Sequence, residues 1–250
     1  MRNTLGHNEG GYRMSHPGDG VVVRWGLSSS VSTAVLALVS FGVAVTTPPR
    51  TGPFAAPGSV IAYPYSQAAQ FVPRDFIWMY PALLMMLSFI VLAACVAQAA
   101  RGERKLFGTI GLWFAGISFA VIGVDYFVQL QAVQPALLRS GEAAGVAVLS
   151  QYNPHGVFIA LENFGFLAMA VSFAFLGLAL GDSKTERATR WVLLTASALA
   201  ILAFVGMSVY FGLGIESRFE VSAIMIDWLA LVASGIMLAF VFRRSSAPPD

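Results

Sequence analysis

The chain reads as an all-helical membrane protein, a bundle of six spans with both termini on the cytoplasmic side. Three observations predict it. Apolar residues make up 57% of the 250 positions and charged residues only 11%, against about a quarter charged in soluble domains. The mean hydropathy is +0.71. Apolar runs of about 20 residues, the length that crosses a bilayer core as a helix, recur six times.

Those runs are Leu27–Thr47, Phe76–Gln98, Phe107–Leu130, Gly156–Leu180, Trp191–Leu213 and Val221–Phe242. Lipid offers the backbone no hydrogen-bond partners, so evenly apolar runs of this length form helices, whereas barrel strands would alternate at every second residue. Together they define a transmembrane domain over residues 27–242. A flexible N-terminal tail (1–26) and a short C-terminal tail (243–250) flank it. The N-terminal tail lacks the basic start and early apolar core of a cleaved signal peptide, so the first span is expected to be retained.

Basic residues orient the spans. Of the 15 basic residues, Arg2, Arg13, Arg24, Arg101, Arg104, Lys105, Lys184, Arg187, Arg190, Arg243 and Arg244 fall on one side. Only Arg50, Arg74, Arg139 and Arg218 fall on the other. The positive-inside rule then predicts cytoplasmic termini in a plasma (inner) membrane and puts the two longer loops, Pro48–Asp75 and Gln131–His155, outside. Within the second loop, Pro135–Leu138 and Ala143–Leu149 have the composition of a short helix lying on the membrane surface.

Helices in lipid associate through small and polar residues, because burying leucine against leucine gains little there. The third span carries such a stripe in Gly108, Gly111, Ala115, Ser118, Ile122, Asp125 and Gln129. The sixth repeats it with Glu220, Ala223, Asp227, Ala230 and Ser234, and the fourth with His155, Glu162, Gly165, Met169 and Ser172. Ala196, Ala203, Gly206 and Tyr210 on the fifth are expected to face inwards as well, and Ser29, Thr33, Ser40 and Thr47 form a weaker version on the first. Trp78, Tyr80, Tyr126, Tyr210, Trp228 and Trp191 have the placement of interfacial anchors, and Pro81 that of a kink in the second helix.

Asp125, Glu162 and Asp227 need a further explanation. Each lies within a span that offers it no Lys or Arg, and an acid at a span's centre costs at least roughly 2.5–3.5 kcal/mol. Counted from the span ends at 1.5 Å per residue, all three fall roughly 9 Å below the outer surface. The expectation is one polar cavity opening outwards, with Gln129, Asn163, Tyr126, Tyr210 and His155 around the acids. Arg74, Asp75, Glu216, Arg218 and Glu220 would supply charges at its rim.

Other chemistries find little footing. The net charge of +2 presents no polyanion-binding surface, so nucleic acid is not an expected partner. The single cysteine, Cys95, forms no internal disulfide. No HExxH or paired-cysteine spacing marks a metal site, no P-loop is present, and no span contains the lysine that a retinal Schiff base requires.

The stretch Asp125–Leu130, with Gln151-Tyr152-Asn153-Pro154-His155-Gly156 and Ile159–Asn163, resembles uncharacterised bacterial multi-pass membrane proteins. The resemblance covers the third and fourth spans with their joining loop and implies no activity, cofactor or catalytic residue. The leading expectation is a binding or transport protein whose partners are the lipid bilayer and a small cationic or polar molecule. The alternatives are a membrane-embedded enzyme acting on lipid through Glu162, Asp227 or His155, and an accessory or scaffolding subunit. A ligand-sized pocket, a lateral opening or a solid interior would separate the three.

Overall fold

The computed structural model describes residues 19–245. Six helices carry the fold: α1 (Asp19–Val45), α2 (Met79–Ala99), α3 (Arg104–Val128), α4 (Val157–Ala179), α5 (Lys184–Phe211) and α6 (Arg218–Ser245). All six are long and apolar enough to span a membrane, and no strand forms among the described residues. Each helix packs against its neighbours in sequence, and α1 closes the ring against α6. α4 also touches α2 and α6 across the middle, which makes it the most buried of the six. Gly26 lies against Phe242, so the start of α1 and the end of α6 share one end of the bundle.

The small-residue stripes explain the packing. Every member of the third-span stripe is buried, from Gly108 to Gln129. A side chain at Gly108 would meet the Ala97 backbone at 2.8 Å, and one at Gly111 would meet the backbone nitrogen of Leu176 at 2.9 Å. That closeness lets the Ser172 hydroxyl donate across the helix pair to the carbonyl of Gly111 at 2.8 Å. Gly165 receives Ile122 in the same way, and Gly235 lets α6 approach the carbonyl of Ser30 on α1.

The fifth span departs from expectation. Ala196 is buried, but Gly206 is exposed and Tyr210 is 82% exposed. The buried residues of α5 lie towards its start, among them Leu193, Ala196, Ser197 and Ala200. Further on, Ala203, Phe204 and Met207 pack partly buried against the core, and the Phe204 ring meets Phe219 edge-on at 5.0 Å. The start of α5 is fixed by a reciprocal cap in which the Ser183 side chain accepts from the Glu186 backbone and the Glu186 carboxylate accepts from the Ser183 backbone.

Helix boundaries also shift. α1 begins at Asp19, ahead of the expected Leu27, and takes the last part of the supposed tail into the helix. Residues 1–18 and 246–250 of the two tails lie outside the described residues. The third helical segment continues past Leu130 through a π turn at Gln129–Val133 into Gln134–Leu137. Pro135 has no N–H and its ring crowds the preceding turn, and the wider turn relieves both while the chain stays helical. Pro81 sits in the first turn of α2, where its missing donor would have had no helical partner. No kink is needed there.

The two long loops pack onto each other across one end of the bundle. Ile61, Tyr65, Ala68 and Phe76 of the first are buried. The Tyr152 ring of the second meets Tyr65 at 6.5 Å and, edge-on, Phe76 at 6.2 Å. Gln129 fastens the second loop from below. Its amide donates to the carbonyl of Leu149 at 2.6 Å, and its oxygen accepts from the Gln151 backbone at 3.0 Å.

Candidate functional site

The site stands where α1, α2 and α6 meet the two long loops. A cavity of about 370 Å³ opens there, within the range of small-molecule sites. Its walls are largely apolar, and a few polar side chains converge on it: Arg50, Asp75, Gln151, Tyr152 and Glu220. At its mouth, Val45 of α1 and Val221 and Met225 of α6 are exposed on the outer surface of the bundle.

Asp75 organises the polar end. It precedes α2 and is almost wholly buried. Arg50 donates to its carboxylate at 3.0 Å while lying flat over the Phe71 ring at 3.5 Å. The Tyr152 hydroxyl donates to the same carboxylate oxygen at 3.2 Å. The Asp75 carbonyl accepts from the Trp78 indole at 3.1 Å and from the Gln151 amide at 3.3 Å. One residue thereby joins both loops to the start of α2. Burial first, and the neighbouring Asp75 carboxylate second, push the Tyr152 phenol above its ordinary value. It stays a neutral donor.

Glu220 reaches from the cavity wall into the bundle. It lies in the first turn of α6, half-buried, with one carboxylate oxygen sealed off and without a hydrogen-bond partner. Its carboxyl lies near Glu162 on α4, and Asp125 on α3 is close enough to act on both electrostatically. Glu162 is fully buried. One of its oxygens accepts from the Tyr126 hydroxyl at 2.6 Å and the other has no partner.

A layer of aromatics underlies the cavity. Trp78 lines it and stands edge-on to Tyr126, with ring centres 5.0 Å apart, while Trp228 packs beside it at 6.1 Å. All three are buried. They fill the space between α2, α3 and α6 and are not interfacial anchors. Tyr80 and Trp191 are on the surface, as an anchor requires, and Tyr210 is there instead of on the inward face expected of it.

The expected residues are therefore divided. Asp125, Glu162 and Tyr126 come together, joined by Glu220, which the sequence places at the rim. Asp227 does not join them. It is fully buried, neither of its oxygens has a partner among the described residues, and no ionisable neighbour acts on it. The depth count fails because it measures every helix from the end of its apolar run. α6 begins at Arg218, so Glu220 already lies at the level of Glu162, and Asp227 falls about two turns, roughly 10 Å, below Glu220.

The remaining candidates take other places. Gln129 braces a loop, as described above. Asn163 is half-buried with its side-chain oxygen unpartnered and does not line the cavity. Tyr210 lies on the outside of α5. His155 is largely exposed and faces Glu216 at 3.8 Å. Arg218 donates to the Gly214 carbonyl at 2.6 Å and sits 3.7 Å from Glu216 and over the Phe211 ring. Arg74 donates to the Thr47 hydroxyl at 2.6 Å and the Thr46 carbonyl at 2.7 Å, holding the end of α1. Of the rim charges, only Asp75 and Glu220 line the cavity.

Sequence reasoning missed the roles of Arg50, Gln151 and Tyr152. Tyr152 and Gln151 do fall within the Gln151–Gly156 stretch that carries the resemblance, and Arg50 directly follows Pro48-Pro49 at the end of the first span. Among the described residues, no group of three or more His, Cys, Asp and Glu side chains is arranged to hold a metal ion. No family model matches the chain, and no curated protein or solved structure is significantly similar to it.

Proposed function

We propose that the protein is a multi-pass protein of the plasma membrane that binds or carries a small cationic or polar molecule through the cavity beneath its two long loops. The positive-inside distribution turns that end outwards, away from the cytoplasm. The observation that carries the reading is Glu220. Its carboxyl stands on the wall of a largely apolar cavity, while the other acid there, Asp75, is already matched by Arg50. Asp125 and Glu162 stand behind Glu220, and no basic side chain is among the groups acting on them. An apolar wall around an uncompensated acid favours an organic cation.

The cavity weighs against a purely scaffolding subunit, for which a solid interior is expected. A lipid-acting enzyme using Glu162, Asp227 or His155 is less well supported, since none of the three reaches the cavity wall.

The test is equilibrium dialysis of tetramethylammonium against the protein in nanodiscs, with empty nanodiscs as blank. Saturable binding is expected, weakened about tenfold or more in Glu220→Gln, the loss of one charge-assisted contact of roughly 1.5–3 kcal/mol. Binding that is absent, or unchanged by Glu220→Gln, would remove the reading.

A further inference from the structure

We infer that the ligand is a single-chain amphiphile with an ammonium head, entering sideways from the bilayer between α1 and α6. The inference rests on the cation-binding reading of the same cavity and adds the ligand's class and its route.

The seam between α1 and α6 is built differently at its two ends. At the end holding Gly26 and Gly235 the helices touch closely. A side chain on Gly235 would strike the Ser30 carbonyl at 2.8 Å, and one on Gly26 would overlap Phe242 at 2.6 Å. Near the loops the seam has opened. The cavity lies in that gap, walled by Phe41, Ala44 and Val45 of α1 and by Val221, Ile224 and Met225 of α6.

All six of those side chains are apolar, and Val45, Val221 and Met225 are also exposed on the face the bundle turns to its surroundings. The two helices are candidate membrane spans, so this face meets acyl chains and the mouth opens to lipid. The charged and amide groups of the lining come from Glu220, Asp75, Arg50 and Gln151, none of them on the exposed face formed by Val45, Val221 and Met225. An apolar side entrance leading to a charged recess matches a molecule with a tail and a head.

Size points the same way. A site of about 370 Å³ is near the lower limit for ligand pockets, roughly 300–1,000 Å³. It accommodates a head and a few methylenes, and a longer chain must run out through the mouth into the bilayer. The charge of the head follows from Glu220, since Arg50 and Asp75 neutralise each other.

The experiment measures binding of tetramethylammonium and of butyl-, hexyl- and octyltrimethylammonium to the protein in nanodiscs. Equilibrium dialysis gives the excess over empty nanodiscs, expressed against free aqueous concentration. A chain buried on binding tightens Kd by about fourfold per methylene. From butyl to octyl, four methylenes, the expected gain is about 250-fold.

Ala44→Trp and Met225→Trp each block the mouth from one side and leave Glu220 in place. Both are expected to abolish the chain-length gain. Glu220→Gln is expected to weaken every member of the series. A Kd independent of chain length, or a gain that survives both tryptophan variants, overturns the side entrance while the small-cation reading stands. Failure of every ammonium to bind overturns both. Octyl sulfate binding as tightly as octyltrimethylammonium would overturn the cationic head, and with it both readings.

Discussion

Two fully buried acids, Glu162 and Asp227, show how differently a membrane protein can treat a carboxyl group. Glu162 is fully buried, yet one oxygen has the Tyr126 hydroxyl at 2.6 Å and a second carboxyl lies beside it. Removing that hydroxyl leaves a buried oxygen with no donor, which typically costs about 1–3 kcal/mol. Tyr126→Phe is therefore expected to destabilise the protein by that amount in a reversible SDS-unfolding titration, with the helical content of the folded state unchanged. Asp227 has no such partner for either oxygen. Exchanging it for an apolar side chain close in size removes an unpaid desolvation, so Asp227→Val is expected to raise stability by about 1–2 kcal/mol in the same titration. A large loss of stability in Asp227→Val would mean that the acid has a structural partner. The sequence marked both residues as acids within apolar runs. It did not distinguish them, because a hydroxyl on a neighbouring helix is invisible to the periodicity of either helix.

At the scale of the helix, glycine has opposite meanings at different positions. Gly111 lets α3 and α4 approach until Ser172 bonds to its carbonyl, and a side chain there would strike the Leu176 backbone. Gly206 on α5 faces open space. Gly111→Val should therefore force the helix pair apart and cost roughly 1–3 kcal/mol by overpacking. Gly206→Ala should be neutral or stabilise by up to about 1 kcal/mol, the ordinary difference in helix propensity. Thermal denaturation of the two variants in one detergent checks the pair. Equal destabilisation would show that α5 packs along its whole length. The stripes on α3, α4 and α6 were readable because a helix buried along one face repeats its small residues every three or four positions. The stripe on α5 has the same spacing, and only its first half is buried. Spacing reports which residues share a face, not how far a neighbouring helix follows that face.

For the whole molecule, the described ends of the chain share one end of the bundle and the two long loops cover the other. The orientation proposed from the basic residues puts the first end in the cytoplasm. Single cysteines introduced in a Cys95→Ser background test this directly. Ser140→Cys, exposed in the second long loop, is expected to react with a membrane-impermeant maleimide in intact cells, and Arg101→Cys, exposed in the short loop between α2 and α3, only after the membrane is opened. The reverse pattern would invert the orientation and turn the cavity towards the cytoplasm.

The sequence by itself determined the number of spans, their helical state, the buried faces of α3, α4 and α6, and the charge asymmetry between the two ends. Each of these follows from local hydrophobicity, from periodicity along one helix or from composition between helices. Only the tertiary structure decided which acids meet. Asp125 and Glu162 join Glu220 because three helices begin and end at different heights, and the bonds of Asp75 to Arg50, Gln151 and Tyr152 bring together residues from separate loops. The heights of neighbouring helices and the folding of loops depend on contacts between segments distant in the chain, and no single apolar run records them.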